Sequence, residues 1–130
     1  MAYLLGNGVL PLLYANRLHI RGIFNNLIAN AIRAIQEVER ENGIITISTT
    51  TIEKRDFLHI RIIISDNGKG IKAKDKDKIF ERYFTKSKEG MGIGLHATKV
   101  MLEYYDAYIT VDSFPEKGST FIVDISPEIQ

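Results

Sequence analysis

The 130-residue chain contains no cysteine, so neither a disulfide framework nor a thiolate metal site can underlie it, which fits a reducing compartment. Net charge is almost as scarce. Seventeen basic residues against sixteen acidic ones leave a formal +1, which gives no bulk field for nucleic acid or an anionic membrane, and neither is expected as a direct partner. No apolar run approaches the length of a membrane span. The N-terminal stretch MAYLLGNGVLPLL is apolar but lacks a cationic n-region and is interrupted by Gly6, Gly8 and Pro11, so no cleaved signal is expected. The cytoplasm is therefore the expected compartment, whether or not a parent protein is anchored in a membrane. Also missing is the G-x-x-x-x-G-K-[ST] spacing of a phosphate loop that leads a lysine into a helix.

What is present suffices for one core and not for two: 45% of the residues are hydrophobic, and a single domain over residues 1–130 is expected. The apolar segment 9–15 reads as a first strand, and Asn16 as the N-cap of a long helix ending near Asn42 and Gly43. Along that helix Ile23, Leu27, Ala31, Ile35 and Val38 recur every three or four residues and predict the face that packs on the core. Two strand-like runs, IITISTTTI and FLHIRIIIS, flank a charged tetrapeptide and read as a hairpin. After a glycine turn, residues 74–84 predict a short helix, 85–89 a polar loop and 94–105 a second long helix. A last strand pair, 108–113 and 120–125, surrounds FPEKG. Helices this few and this clustered exclude a doubly wound sheet. The expected fold is α+β, a two-layer sandwich in which about three helices cover one face of a mixed, mostly antiparallel sheet.

Three stretches carry residue types that packing alone does not require. On the first helix Asn26, Asn30, Arg33 and Glu37 form a polar stripe beside the apolar one. Asparagine is a mediocre helix former, so Asn25, Asn26 and Asn30 within two turns point either to an exposed face or to a site. In the second case the neutral amide oxygen of Asn30 suits a hard cation such as Mg²⁺, and Arg33 suits a phosphate. In IIISDNGKGI an apolar strand ends in Asp66. Asp-Asn-Gly is good turn chemistry, yet a turn does not need the acid, and a carboxylate there is placed to accept from a ligand amine. The third stretch, KEGMGIGLHATK, crowds Gly90, Gly92 and Gly94 before a helix. Gly92, Gly94 and Ala97 satisfy G-x-G-x-x-G/A, with Asp112 further on. A dinucleotide fold requires a buried strand before the glycines, whereas the polar FTKSKEG precedes them.

Taken in order, NNLIANAIRA, DNGKGI, IFERYFTK and GMGIGL resemble the four ATP-site boxes of the superfamily that contains sensor histidine kinases, DNA gyrase, MutL and heat-shock chaperones. From about residue 9 to 126 the chain resembles the catalytic ATP-binding domain of bacterial sensor histidine kinases. The resemblance implies ATP and Mg²⁺ as cofactors, with Asn26, Asn30 and Arg33 as the catalytic set. Asn30 matches the asparagine that holds Mg²⁺ against the phosphates, and Arg33 a basic position near them. Asp66 matches the acid that binds the adenine amino group, Gly68 and Gly70 the glycines that let the base approach, and Ile71 closes that box. Phe80 and Phe84 fall in the phenylalanine box, which either anchors the lid hydrophobically or touches nucleotide, Phe84 being the one counted in the ATP-binding set. Lys86, and with it Lys88, sits where lid cations approach the phosphates. Gly90, Gly92, Ile93, Gly94 and Leu95 fall on the second glycine box, whose amides and helix N-terminus meet the phosphates. Ser119 keeps the hydroxyl that follows the glycine of the last hairpin.

The likeness also bears on the reaction. Hydrolysing members of the superfamily carry a glutamate one turn before the metal asparagine, where it can activate water; here that position is Asn26, whose amide cannot take a proton. Transfer to a histidine on a separate dimerisation and phosphoacceptor domain is thus favoured over hydrolysis, with a response regulator as the indirect partner. That domain is missing from the chain, and His19, His59 and His96 read as structural rather than as acceptors, although His96 follows the glycine loop. An ATP-binding regulatory module without transfer and a serine kinase of the anti-sigma type share the same boxes. Asp106 and Ala107 replace a usual glycine pair, and Met91 and Ile93 a usual threonine and leucine. The lid, 85–89, is expected to be ordered by nucleotide.

Overall fold

The computed structural model describes residues 2–6, 13–84 and 94–127, the first of these by backbone alone. Chain order gives β1 (Ala2–Gly6), α1 (Arg17–Glu37), β2 (Ile45–Lys54), β3 (Phe57–Asp66), a 3-10 turn (Ala73–Asp75), α2 (Gly94–Tyr104), β4 (Tyr108–Phe114) and β5 (Gly118–Ile125). One five-stranded sheet runs β1-β2-β3-β5-β4. Strand β1 is parallel to β2 and the other pairings are antiparallel, so the expected mixed α+β sheet is what forms.

Register explains the core. Ile47 lies opposite Ile64, Ile64 opposite Phe121, and Phe121 opposite Val111, so one row of apolar side chains crosses four strands on a single face. Leu27 of α1 and Leu102 of α2, each 1% exposed, complete the core above that row. Burying a side chain of this size contributes about 1.5–3 kcal/mol. The predicted stripe on α1 is buried at Ile23, Leu27 and Ala31, and Ala34 joins it; Ile35 packs at the margin. At the helix start the Asn16 side chain accepts from the Leu18 amide at 2.8 Å, the cap that the sequence suggests.

The opposite face of the sheet carries an ion pair between directly paired strands. Arg61 donates through Nε at 2.8 Å and through Nη2 at 2.9 Å to the Asp124 carboxylate, and Lys54 adds a contact at 3.4 Å. Burial pushes the Asp124 carboxyl up, but the Arg61 hydrogen bonds and charge, with Lys54, outweigh it and hold it below the ordinary range. Lys54 also sits 4.6 Å above the Tyr108 ring.

Three sequence expectations are corrected. The first strand is Ala2–Gly6 rather than 9–15. Residues 13–15 are not strand, and Tyr14 reaches Pro127 by one backbone hydrogen bond before the helix cap; residues 9–12 lie outside the described residues. Helix α1 stops at Glu37, several residues short of Gly43, because Glu39 takes a left-handed φ of 50° and the carbonyl of Ala34 is captured by Lys69. Residues 74–84 do not make an α-helix. One 3-10 turn is followed by isolated turns such as Glu81 to Lys78 and Phe84 to Glu81, the Phe80 carbonyl is spoken for by His96, and Tyr83 has a φ of 66°. Two α-helices, not three, therefore cover the sheet among the described residues. None of the described helices is long and apolar enough to cross a membrane.

Candidate functional site

Asp66 is the last residue of β3, opposite Ser119 on one side and Ile45 on the other, and only 8% exposed. Hydrophobic β3 drives the strand into the core, and the chain must turn where it leaves. The Gly68 amide donates to the Asp66 carboxylate at 2.8 Å, and the Ser119 backbone amide also donates to it. Burial nonetheless dominates and raises the Asp66 carboxyl above its usual range. A buried carboxylate on this edge still has acceptor capacity, which is the property an adenine amino group would use.

The glycines after it are fixed by neighbouring backbone. A Cβ on Gly68 would lie 2.5 Å from the carbonyl carbon of Ala34 and 2.7 Å from its oxygen, so the loop lies directly on α1. Gly70 has a φ of +71°, and a Cβ there would lie 2.0 Å from the carbonyl oxygen of Phe114. The loop is thus wedged between α1 and the β4–β5 turn. Its exit is held by Ser113, a residue that the motif reading missed: the Ile71 amide donates to Ser113 Oγ at 2.7 Å, and Ser113 Oγ donates to the Gly118 carbonyl at 2.9 Å. Ser119 Oγ, 2.8 Å away, completes a buried hydroxyl pair beneath Asp66. The signal for Ser113 was a hydroxyl at a core-facing position of an alternating strand.

The Gly68 contact with Ala34 brings the second part of the site within one helical turn. Asn30 and Arg33 are both half-buried, and among the described residues neither side chain makes a hydrogen bond or ion pair. A neutral oxygen donor and a guanidinium without protein partners fit a cation and an anion held together, the chemistry of a magnesium-bound phosphate chain. No group of three His, Asp or Glu able to hold a metal by itself occurs among the described residues.

Asn26 differs from them in having protein partners. Its Nδ2 donates to the Gly94 carbonyl at 3.2 Å and to Thr98 Oγ1 at 3.3 Å, so this side chain secures the first turn of α2. Leu95 is half-buried against the core, and Gly94 opens the helix. Phe84 packs at the core margin, and Phe80 meets Phe121 edge to face at 6.4 Å. His96 Nδ1 lies 3.2 Å from the Phe80 carbonyl, a contact that ties α2 to the phenylalanine segment. His19 Nδ1 lies 2.7 Å from the Tyr105 hydroxyl, and His59 Nδ1 3.1 Å from the carbonyl of Phe57. Lys86, Lys88, Gly90, Gly92 and Ile93, with the lid 85–89, lie outside the described residues. Asp112, the acid of the dinucleotide alternative, is exposed on the sheet face away from the helices.

Residues 15–129 match the family model described as "Histidine kinase-, DNA gyrase B-, and HSP90-like ATPase". The chain is 35% identical over 115 residues to the sensor histidine kinase ZraS of Escherichia coli (strain K12), covering 88% of this chain and 23% of that protein. It is 30% identical over 105 residues to the sensor protein TdiS of Thauera aromatica, covering 81% of this chain and 19% of that protein. The chain therefore spans only about a fifth of the length of such curated relatives. Among solved structures, the nucleotide-free catalytic domain of the histidine kinase ThkA superposes with a TM-score of 0.78 at 26% identity, covering 97% of this chain and 78% of that one. The mycobacterial sensor histidine kinase MprB, at 18% identity, shares the fold with a TM-score of 0.81 over 99% of this chain and 83% of that one. With the family model matched over most of its length, the chain belongs to the histidine kinase-, DNA gyrase B- and HSP90-like ATPase family.

Proposed function

We propose that this domain binds Mg·ATP and transfers the γ-phosphoryl group to a histidine on a separate helical dimerisation and phosphoacceptor domain of a sensor kinase, from which it passes to a response regulator. The observation that supports the reading is that buried Asp66 leads into Gly68, which lies against Ala34, one helical turn or less from Asn30 and Arg33, whose side chains have no partner among the described residues. In this reading Asp66 accepts from the adenine amino group, Asn30 supplies an oxygen ligand to Mg²⁺, and Arg33 faces phosphate oxygens. When bound, Mg²⁺ offsets charge on the β- and γ-phosphate oxygens. The acceptor imidazole nitrogen attacks the γ-phosphorus as the bond to the bridging oxygen breaks and ADP departs.

Asn26 supports transfer over hydrolysis. An amide cannot deprotonate water, and its N–H group is engaged by Gly94 and Thr98. The resident chemistry therefore lacks a general base at this position, and the nucleophile must come from outside the domain.

The test supplies a helical acceptor domain bearing a histidine, with Mg·ATP, and follows the phosphate. Acid-labile phosphoprotein formed by the parent chain and lost in Asn30→Ala is the expected result. Acid-stable product would point to a serine acceptor, and nucleotide binding with no transfer would point to a regulatory module.

A further inference from the structure

The loop that carries Asp66 is held from behind by two side chains that do not face the nucleotide in the proposed reading. Asn67 makes three contacts with the α1–β2 connection. Its backbone N–H donates to the Ile44 carbonyl at 3.3 Å, its Oδ1 accepts from the Ile44 amide at 2.8 Å, and its Nδ2 donates to the Asn42 carbonyl at 2.7 Å. The side chain thus extends the β2–β3 ladder by one step after the strands end, substituting an amide for the backbone. Its place between Asp66 and Gly68 means that any slip of this clamp rotates the acid and the glycine together.

Lys69 makes a second junction. Its N–H donates to the Ala34 carbonyl at 3.0 Å, filling one of the acceptors that the end of α1 leaves open. Its own carbonyl accepts from the Glu116 amide at 2.5 Å, and its ammonium pairs with Glu37. The last turn of α1 contains no basic residue, so Lys69 supplies from another segment the cation that a helix C-terminus favours. Arg40 Nη2 donates to the Glu116 carbonyl at 2.6 Å and closes the ring between α1, the loop and the β4–β5 turn. Gly68, pressed on Ala34, occupies the centre of this ring.

We propose that Asn67 and Lys69 are positioning residues for nucleotide binding, fixing the Asp66 carboxylate at the angle at which it receives the base. The inference rests on the reading of Asp66 as the adenine acceptor. Because the clamp acts on the base end of the site, its loss weakens ATP, ADP and adenosine by the same factor and leaves the Mg²⁺ dependence of ATP binding unchanged. Loss of general fold integrity would also weaken all three ligands together, and is told apart by a melting temperature low enough to leave part of the chain unfolded at the assay temperature.

Calorimetry on the whole chain with ATP, ADP and adenosine, with and without Mg²⁺, tests this alongside thermal melts. Asn67→Ala is expected to weaken all three ligands about tenfold, the equivalent of one or two hydrogen bonds. Lys69→Met is expected to weaken them about two- to threefold, because the ion pair is partly exposed while the backbone contacts of residue 69 survive. Lys69→Glu should be worse than Lys69→Met, and Lys69→Glu combined with Glu37→Lys should recover most of that loss. If the parent chain binds and Asp66→Asn weakens binding about 10- to 150-fold, yet the Asn67 and Lys69 variants bind like the parent, the positioning role is wrong. Losses confined to variants that are partly unfolded at the assay temperature, with no recovery of affinity on the charge exchange, would also overturn it. A parent chain that binds no nucleotide, or an Asp66→Asn variant that binds normally, would instead remove the reading beneath it.

Discussion

Replacing Asp66 by asparagine should move binding and stability in opposite directions. Asparagine keeps the shape and an oxygen able to accept from the Gly68 amide, but loses the charge that makes the acid a strong acceptor. A hydrogen bond to a charged acceptor contributes about 1.5–3 kcal/mol, so the dissociation constant for ATP should rise about 10- to 150-fold. The fold should not suffer. Burial raises the Asp66 carboxyl, outweighing the Gly68 and Ser119 amides, so the ionised acid is less at home in the folded chain than in the unfolded one. With the folded value above the unfolded one, the stability that Asp66 contributes is fully present below the unfolded carboxylate range and is lost as pH rises through the folded value. Asp66→Asn should therefore melt at or above the parent temperature at neutral pH, with the difference closing on acidification. Thermal melts without nucleotide across acid to neutral pH, paired with calorimetric titration of ATP, read both effects. A fall of more than about 5 °C in the nucleotide-free variant at neutral pH, roughly 1 kcal/mol for a domain of this size, would refute the reasoning and make Asp66 a structural acid.

Two further substitutions separate the faces of the sheet. Gly68→Ala places a methyl group 2.5 Å from the backbone of Ala34, which cannot swing aside as a side chain would, and should cost about 1–3 kcal/mol in urea unfolding while weakening ATP. Parent-like stability would mean that the loop can lift off α1. Arg61→Met strands the buried Asp124 carboxylate with Lys54 alone and should cost about 1–3 kcal/mol at neutral pH, below the value for a fully buried pair because Arg61 is one-third exposed. Since the folded Asp124 value is depressed, that cost should shrink as pH falls through it, and ATP affinity should not change.

The elements differ in how much of them the sequence makes legible. The β2–β3 hairpin and the last strand pair read well because period-two alternation and a buried face agree, so a slipped register would turn the whole isoleucine row outward. The segment 74–84 misled because Lys74, Asp75 and Lys78 are compatible with a helix, whereas adjacent Ile79 and Phe80 are both drawn inward and His96 claims the Phe80 carbonyl. That is a tertiary contact which no local pattern carries. In the candidate site, Asp66 and Asn30 were visible as residue types out of keeping with their elements, and Arg33 as a member of the polar stripe beside the apolar one. Ser113 and the Asn67 and Lys69 contacts were not, since their meaning lies in carbonyls and amides contributed by distant segments. Gly68 was legible as a glycine but not by its neighbour, because nothing in DNGKG announces that Ala34 will lie against it.

The turn between β2 and β3 has a practical consequence. Arg55 and Asp56 both take left-handed φ values, 53° and 66°, in a two-residue connection at the far end of strands whose other end carries Asp66. Nine steps of extended chain put this tip roughly 30 Å from the acid. A fluorophore or short epitope spliced in there would travel with the rigid sheet and stay clear of nucleotide. It would supply a stationary reference point against which displacement of any loop at the opposite end could be measured.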